Sequence, residues 1–279
     1  MKFATVLTIG PVSTATPASI YAAHRPSPAV RALLTRDYLA FGQPEGGRQR
    51  WLATPSPTVT VILNTGTAFG GYPAAFATGL TDTHAVVDQS GAIECADLKL
   101  TPLGAYRLLG VPMSELANDV ADLADVLGPD AARLTERLAN TSDWTERFAV
   151  LDAFLLDRLA TGPEPAPEVG WAWRRLVASG GAVPVGALAQ EVGWSRRHLV
   201  TRFRQQVGLA PKTMARIVRF GRLLDRAGQA DWSRLAAECG YYDQAHMNRD
   251  FREFAGTTPT DYLARLEVTS VQYSWVRAD

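Results

Sequence analysis

Two short segments carry the side chains of this chain best suited to reading another molecule. The first holds Arg196, Arg197, Val200, Thr201 and Arg204; the second holds Gln244, Ala245, Asn248, Arg249 and Arg252. Arg, Asn and Gln can make paired hydrogen bonds to the edges of guanine or adenine, the chemistry of sequence readout in a DNA groove. Readout needs those side chains on one face of a rigid element, and the spacing supplies it. In the first segment Leu199 and Phe203 are four apart and face inward, which leaves the five named residues outside. In the second, Met247, Phe251 and Phe254 form the apolar stripe and the other five point away.

The elements that must position these faces are also written in the sequence. Residues 188–211 (LAQEVGWSRRHLVTRFRQQVGLAP) read as helix, glycine turn, serine cap, basic helix, then Gly and Pro. Residues 232–265 repeat the pattern 48 residues further on. Gly193 and Gly240 stand where the turn needs a positive φ, which glycine adopts without a Cβ clash. Ser195 and Asp243 follow as N-caps. Gly208 and Gly256 end the basic helices, each with a proline three residues on, Pro211 and Pro259. Each unit is a helix-turn-helix, which lays its second helix in the major groove. The partner implied is double-stranded DNA.

At these residues the chain resembles the AraC/XylS family of bacterial transcription regulators. The likeness spans residues 170 to 279, and Ala236, Gly240, Tyr241, Asp243, Phe251, Gly256, Thr258, Pro259 and Tyr262 fall on the family's signature. Pro211–Ala227 matches the helix that links the two units in that family. The aromatic pair usual early in the last recognition helix is replaced by His246-Met247. The resemblance implies seven helices, two recognition helices and promoter binding, with RNA polymerase as a further partner if the protein activates.

Charge agrees with that division. The total is zero, but residues 1–169 hold 12 Lys and Arg against 18 Asp and Glu, and residues 170–279 hold 16 against 10. The basic half supplies the phosphate attraction on which DNA affinity mostly rests, and the acidic half does not belong on DNA.

From Arg50 to Leu100 the signals are those of short strands broken by glycine turns: TVTVIL at Thr58–Leu63, then AAFATGL, HAVVD and AIECADLKL. Such a run suggests a small antiparallel barrel or sandwich. The period then changes. Ser114 caps a predicted helix to Gly128 with Leu116, Val120, Leu123 and Leu127 on one face; further helices are expected over Asp130–Ala139 and Asp143–Ala160. In the last, the stripe Trp144, Phe148, Leu151, Leu155 and Leu159 is read as intramolecular core, with a homodimer seam as the alternative. Around Pro102–Pro112 and Leu123–Gly128 this half is similar to the sensory modules of part of the same family, which bind small effectors, dimerise, or both. Trp51, Phe69, Tyr72, Phe76, His84 and Tyr106 are the candidates for lining a small-molecule effector pocket.

The fold class expected is therefore α+β. A strand-rich sensory domain with helices occupies residues 1–161, a Pro-rich linker 162–169, and an all-α double helix-turn-helix domain 170–279. The helix Asp143–Ala160 and the linker form the covalent path between the halves. Residues 1–20 read as a loose arm or an edge strand, and no run is apolar enough to span a membrane.

Other functions lack their residues. There is no Gly-rich phosphate loop, no HExxH and no G-x-S-x-G turn. Two cysteines, Cys95 and Cys239, cannot build the four-cysteine zinc site of the bacterial alkyl-transfer repair proteins that share this DNA-binding unit. The four histidines are dispersed, so neither a metal nor a cofactor is expected. The cysteine usage fits a reduced, cytoplasmic setting, with Cys95 either core or a thiol sensor. The competing reading is a ligand-independent DNA-binding adaptor or architectural protein.

Overall fold

The computed structural model describes residues 19–43, 48–66 and 71–270. Its N-terminal half is built on a six-stranded antiparallel sheet. The strands are β1 (Ser19–His24), β2 (Tyr38–Gln43), β3 (Arg48–Ala53), β4 (Val59–Asn64), β5 (Ala75–Thr78), β6 (Ala85–Ser90), β7 (Ile93–Leu100) and β8 (Val120–Asp122), with a short helix α1 (Pro28–Arg31) after β1. The large sheet runs β1-β2-β7-β4-β5-β8, and β3 pairs with β6 separately. Of the expected N-terminal arm, residues 1–18 lie outside the described residues and Ser19 and Ile20 open β1.

Alternation sorts the sheet into two faces. Val59, Val61 and Leu63 of β4 and Ala96, Leu98 and Leu100 of β7 are buried on the first. Against it pack α2 (Pro102–Leu109), α3 (Leu123–Leu127), α4 (Pro129–Ala139) and α5 (Trp144–Thr161). Leu108, Leu109, Leu134, Leu151 and Leu155 meet Val61, Leu63 and Leu98 there. The second face carries a smaller apolar cluster: Ile62, Phe76, Ile93 and Cys95, with Phe41 and Tyr72 against it.

Helix α5 is pinned to the sheet by polar groups. Asp143 caps it, accepting from the Thr145 and Glu146 amides at 2.8 and 3.0 Å. The buried Arg147 donates to the Leu138 and Thr141 carbonyls at 3.1 and 2.6 Å and pairs with Glu94 at 2.7 Å. Asp152 accepts from the Ser27 amide and the Tyr38 hydroxyl, each at 3.1 Å. Phe148, Leu151 and Leu155 are buried in the molecule's own core, and Trp144 and Leu159 pack against it. The stripe is thereby engaged within the chain and is not free to form the alternative dimer seam.

One expectation is corrected here, and one open choice is decided. The helix predicted over residues 114–128 is three elements. Asn118 turns the chain with φ +62°, β8 pairs with β5 (Thr78 opposite Val120), and only Leu123–Leu127 is helical. The spacing of Leu116, Val120, Leu123 and Leu127 suits one helix face, but a strand partner far away in sequence prevails over that local pattern. Of the two readings of Cys95, the structure supports core: the residue is wholly buried and donates to Asn64 Oδ1 at 3.4 Å. Burial, then Asp97 and Glu94, push its thiol up to about 12. A sensor needs an accessible thiolate, so Cys95 is a core residue.

The C-terminal half is all helical: α6 (Pro167–Ala178), α7 (Val185–Glu191), α8 (Arg196–Val207), α9 (Pro211–Asp225), α10 (Trp232–Glu238), α11 (Gln244–Ala255) and α12 (Pro259–Ser270). Helix α6 takes up Pro167, Glu168 and Val169 of the expected linker, with proline in its first turn. What remains is tied down at both ends. The Gly162 amide donates to the Arg158 carbonyl at 2.8 Å, and the Ala166 amide to Gln206 Oε1 of α8 at 3.0 Å. The two halves also touch directly, α2 lying against α8.

Candidate DNA interface

The two units close their turns identically. Gly193 (φ +70°) donates to the Gln190 carbonyl at 3.1 Å and Trp194 to Ala189 at 3.0 Å. Gly240 (φ +79°) donates to Ala237 at 3.1 Å and Tyr241 to Ala236 at 2.9 Å. This is the Schellman pattern, which satisfies the last carbonyls of the first helix and needs a left-handed residue at the glycine. The second helices then start on side-chain caps. Ser195 Oγ accepts from the His198 amide at 3.2 Å and Asp243 Oδ1 from the His246 amide at 2.6 Å. Caps of this type are each worth about 1 kcal/mol.

Inward faces are sealed by packing. Leu199, Phe203 and Val207 of α8 and Met247, Phe251 and Phe254 of α11 are buried. The Phe251 ring lies edge-on to Phe220 at 5.3 Å, Trp232 at 5.7 Å and Tyr262 at 5.3 Å. At the departure from the family pattern, Met247 is buried while His246 sits edge-on to Tyr241 at 5.3 Å.

The outward faces carry the sequence-derived candidates. Arg196, Arg197, Thr201 and Arg204 are exposed on α8 with Val200 half-buried; Gln244, Ala245, Arg249 and Arg252 are exposed on α11 with Asn248 half-buried. Asn248 Oδ1 is shielded without a hydrogen-bond donor, so less of that side chain is on offer. Thr201 returns its hydroxyl to the Arg197 carbonyl at 3.1 Å. Among the described residues, Arg196, Arg197, Arg204, Arg249 and Arg252 have no ion-pair partner, whereas Arg175, Arg216, Arg226 and Arg234 of the same half all do. Arg174, Arg219 and Arg222 of the same half also have no ion-pair partner among the described residues; what sets the five apart is their exposed place on the two recognition helices, open to an external acceptor.

Helix α9 fixes one unit against the other, through residues the sequence reading did not single out. Arg216 binds Asp250 Oδ1 with Nε and Nη2 at 3.1 and 2.8 Å and Glu253 with Nη1 and Nη2 at 2.9 and 2.5 Å, while lying over the Phe254 ring. These bonds hold the Glu253 carboxyl below its ordinary range. Arg219 donates to the Gly181 carbonyl, between α6 and α7, at 3.1 Å and lies over Tyr241 of the second unit. Nothing local marks these two arginines, since their partners are 22 to 38 residues away.

The effector candidates do not converge. Tyr72 and Phe76 stack at 5.2 Å on the second face of the sheet. Tyr106 belongs to α2 and packs in the core on the opposite face. His84 lies at the junction of the halves, its Nδ1–H donating to the Glu253 carbonyl at 3.2 Å. Trp51 is in β3, opposite Val87, and Phe69 lies outside the described residues. The sheet separates Phe76 from Tyr106, so these two candidates do not line one pocket. Among the described residues no group of three or more His, Cys, Asp or Glu is placed to hold a metal, and no helix is long and apolar enough to cross a membrane.

Residues 188–265 match the family model described as a helix-turn-helix domain. This is an AraC-type DNA-binding domain. The AraC-type match takes in both units and the α9 linker, and it makes the protein a DNA-binding transcription regulator. No curated protein matches the sequence. Among solved structures the chain is similar to ToxT from Vibrio cholerae, at 10% identity over 79% of this chain and 98% of that one, with a TM-score of 0.43. It is also similar to the DNA-binding domain of AdpA in complex with a target DNA, at 21% identity over 38% and 97% of the two chains and a TM-score of 0.34. The C-terminal domain of AraT, a response regulator from Geobacillus stearothermophilus, is similar at 16% identity over 36% and 86%, with a TM-score of 0.34.

The α9 anchors of the AraC-type domain are open to test. Arg216→Ala leaves the buried Asp250 carboxylate unpaired and should cost about 3–5 kcal/mol in urea unfolding. Adding Asp250→Ala should recover part of that loss. A cost below about 1 kcal/mol would put Arg216 among exposed ion pairs of no structural weight.

Proposed function

We propose that this regulator reads a specific operator with both recognition helices and that a small molecule bound in its N-terminal half controls the reading. The observation that carries the DNA part is the pair of equivalent exposed faces bearing five unpaired arginines. The two helices enter successive major grooves on one side of the duplex, about 34 Å apart. Arg197 and Arg249 lie near the start of their helices, where base edges are reached, and serve in base readout. Arg204 and Arg252 lie further along and hold phosphates. If the protein activates, it also contacts RNA polymerase.

The ligand part is supported by the second face of the sheet. Phe41, Tyr72 and Phe76 provide an aromatic wall there. Beside it lie groups of a kind that orient a ligand: Lys99 Nζ donates to Thr60 Oγ1 at 2.8 Å, and Arg36 and Lys99 share the Asp97 carboxylate. An apolar surface with a few fixed polar groups is the usual make-up of a small-molecule site. The acidic half gains nothing from phosphate, so its contribution is control rather than affinity.

Two experiments test this. Arg197→Ala should cost about 1–3 kcal/mol on the operator and relax preference at one or two positions. Arg204→Ala should weaken all sequences alike and flatten the salt dependence. Indistinguishable sequence profiles would remove the division of roles. For the ligand, a thermal-shift screen of small metabolites supplies a binder, which is then titrated by calorimetry with and without operator. Linkage requires that operator change its affinity by the factor by which it changes operator affinity. Equal affinities in both titrations would leave an adaptor that binds DNA without sensing.

A further inference from the structure

The recognition helices are held at their far ends by the N-terminal half, and at matching positions. The last carbonyls of a helix have no partner within it. In α8 the Gln205 carbonyl is one of these, and it accepts from the Met113 amide at 2.8 Å. In α11 the Glu253 carbonyl accepts from His84 Nδ1–H at 3.2 Å. Gln205 and Glu253 are equivalent: each stands three residues before the glycine that ends its helix. Met113 and His84 also stand close to those glycines. A Cβ on Gly208 would come 3.2 Å from the Met113 carbonyl oxygen, and one on Gly256 would come 2.4 Å from His84 Nε2.

Met113 and His84 come from two different loops, and these loops are fastened to each other. The Gly79 amide donates to the Asp119 carbonyl at 3.0 Å and the Asn118 amide to the Leu80 carbonyl at 2.9 Å. Asn118 Oδ1 accepts from the Asp82 amide at 2.9 Å. Asn118 makes these bonds at φ +62°, a conformation that asparagine tolerates better than most residues. Gly79 is pressed so close that a Cβ there would lie 1.6 Å from the Leu116 carbonyl oxygen. Residues 79–84 and 113–119 thus form one cross-linked piece with a grip at each end.

We propose that this piece is a clasp that sets the separation of the two recognition helices, with His84 and Asn118 as positioning residues for operator spacing. It acts beside α9 as a second tie between the units. It leaves the DNA faces uncovered, because it holds only the helix ends. Base preference belongs to α8 and α11; the distance between the two contact patches belongs to α9 and the clasp together. The proposal rests on the two-patch reading of the operator.

The test is selection of binding sites from random duplex DNA by the full chain, comparing wild type with His84→Ala, His84→Gln and Asn118→Ala. One inserted base pair moves the second patch by about 3.4 Å along the duplex. Wild type should select one spacing. His84→Ala and Asn118→Ala should keep the base preferences within each patch, which also certifies their fold. Both should accept a site lengthened by one base pair about threefold to tenfold better, relative to the selected spacing, than wild type does. His84→Gln retains an N–H for the Glu253 carbonyl and should return towards the wild-type spacing. Unchanged spacing in both alanine variants would overturn the clasp and leave α9 as the sole determinant. A wild-type selection showing a single patch would overturn the two-patch reading and the clasp with it.

Discussion

Two helices proposed to meet successive turns of a duplex can be set only by the protein that joins them, and inside the DNA-binding half that tie is α9. Its Phe220 lies 5.3 Å from both Phe251 and Phe254, so the linker helix and the second recognition helix share one core. Arg216 and Arg219, nearly one turn apart, add directional bonds. One ties α9 to α11 through Asp250 and Glu253, and the other reaches Gly181, just before the first unit, and Tyr241 of the second. A duplex with a fixed helical repeat tolerates little error in that distance, and any misfit must be met by bending the DNA at a cost. The readout proposed for the arginines on α8 and α11 depends on this arrangement, since a side chain a few ångströms out of place reaches no base edge.

The N-terminal half is built to be stiff where it touches that arrangement. A sheet with one face covered by α2 to α5 gives a firm base, and Arg147, Asp152 and Tyr38 fasten α5 to it. The loops that meet the recognition helices spring from the β5–β8 edge of the sheet and from the end of α2. A change at the second face of the sheet therefore has a short physical route to the DNA-binding helices, in addition to the covalent route through α5 and the residues after it. Both routes converge near the end of α8, where Gln206 receives the Ala166 amide and Gln205 the Met113 amide.

How much of this was legible in the sequence followed the range of the interactions. The turns at Gly193 and Gly240, the caps Ser195 and Asp243 and the stripes Leu199–Phe203 and Met247–Phe251 depend on residues within a few positions, and all of them could be read directly. The strands Val59–Asn64 and Ile93–Leu100 were visible from alternation, but Tyr38–Gln43 was not, because YLAFGQ alternates poorly and gains its strand from pairing with β7. Residues 114–128 misled for the same reason in reverse: an apolar rhythm suited to a helix, overruled by pairing with β5. The aromatic candidates for an effector pocket could not be sorted, since residue type does not tell which face of a sheet a side chain joins. His84 carried no local signal at all, its partner lying 169 residues away.

Two equivalent helices on one chain, held at a fixed distance, must leave a matching mark on DNA. Hydroxyl-radical footprinting of the full chain on its selected operator tests this most directly. Two protected windows on the same face of the duplex, about one helical turn apart, are expected. A single protected window, or two windows whose distance drifts from one operator to the next, would contradict it.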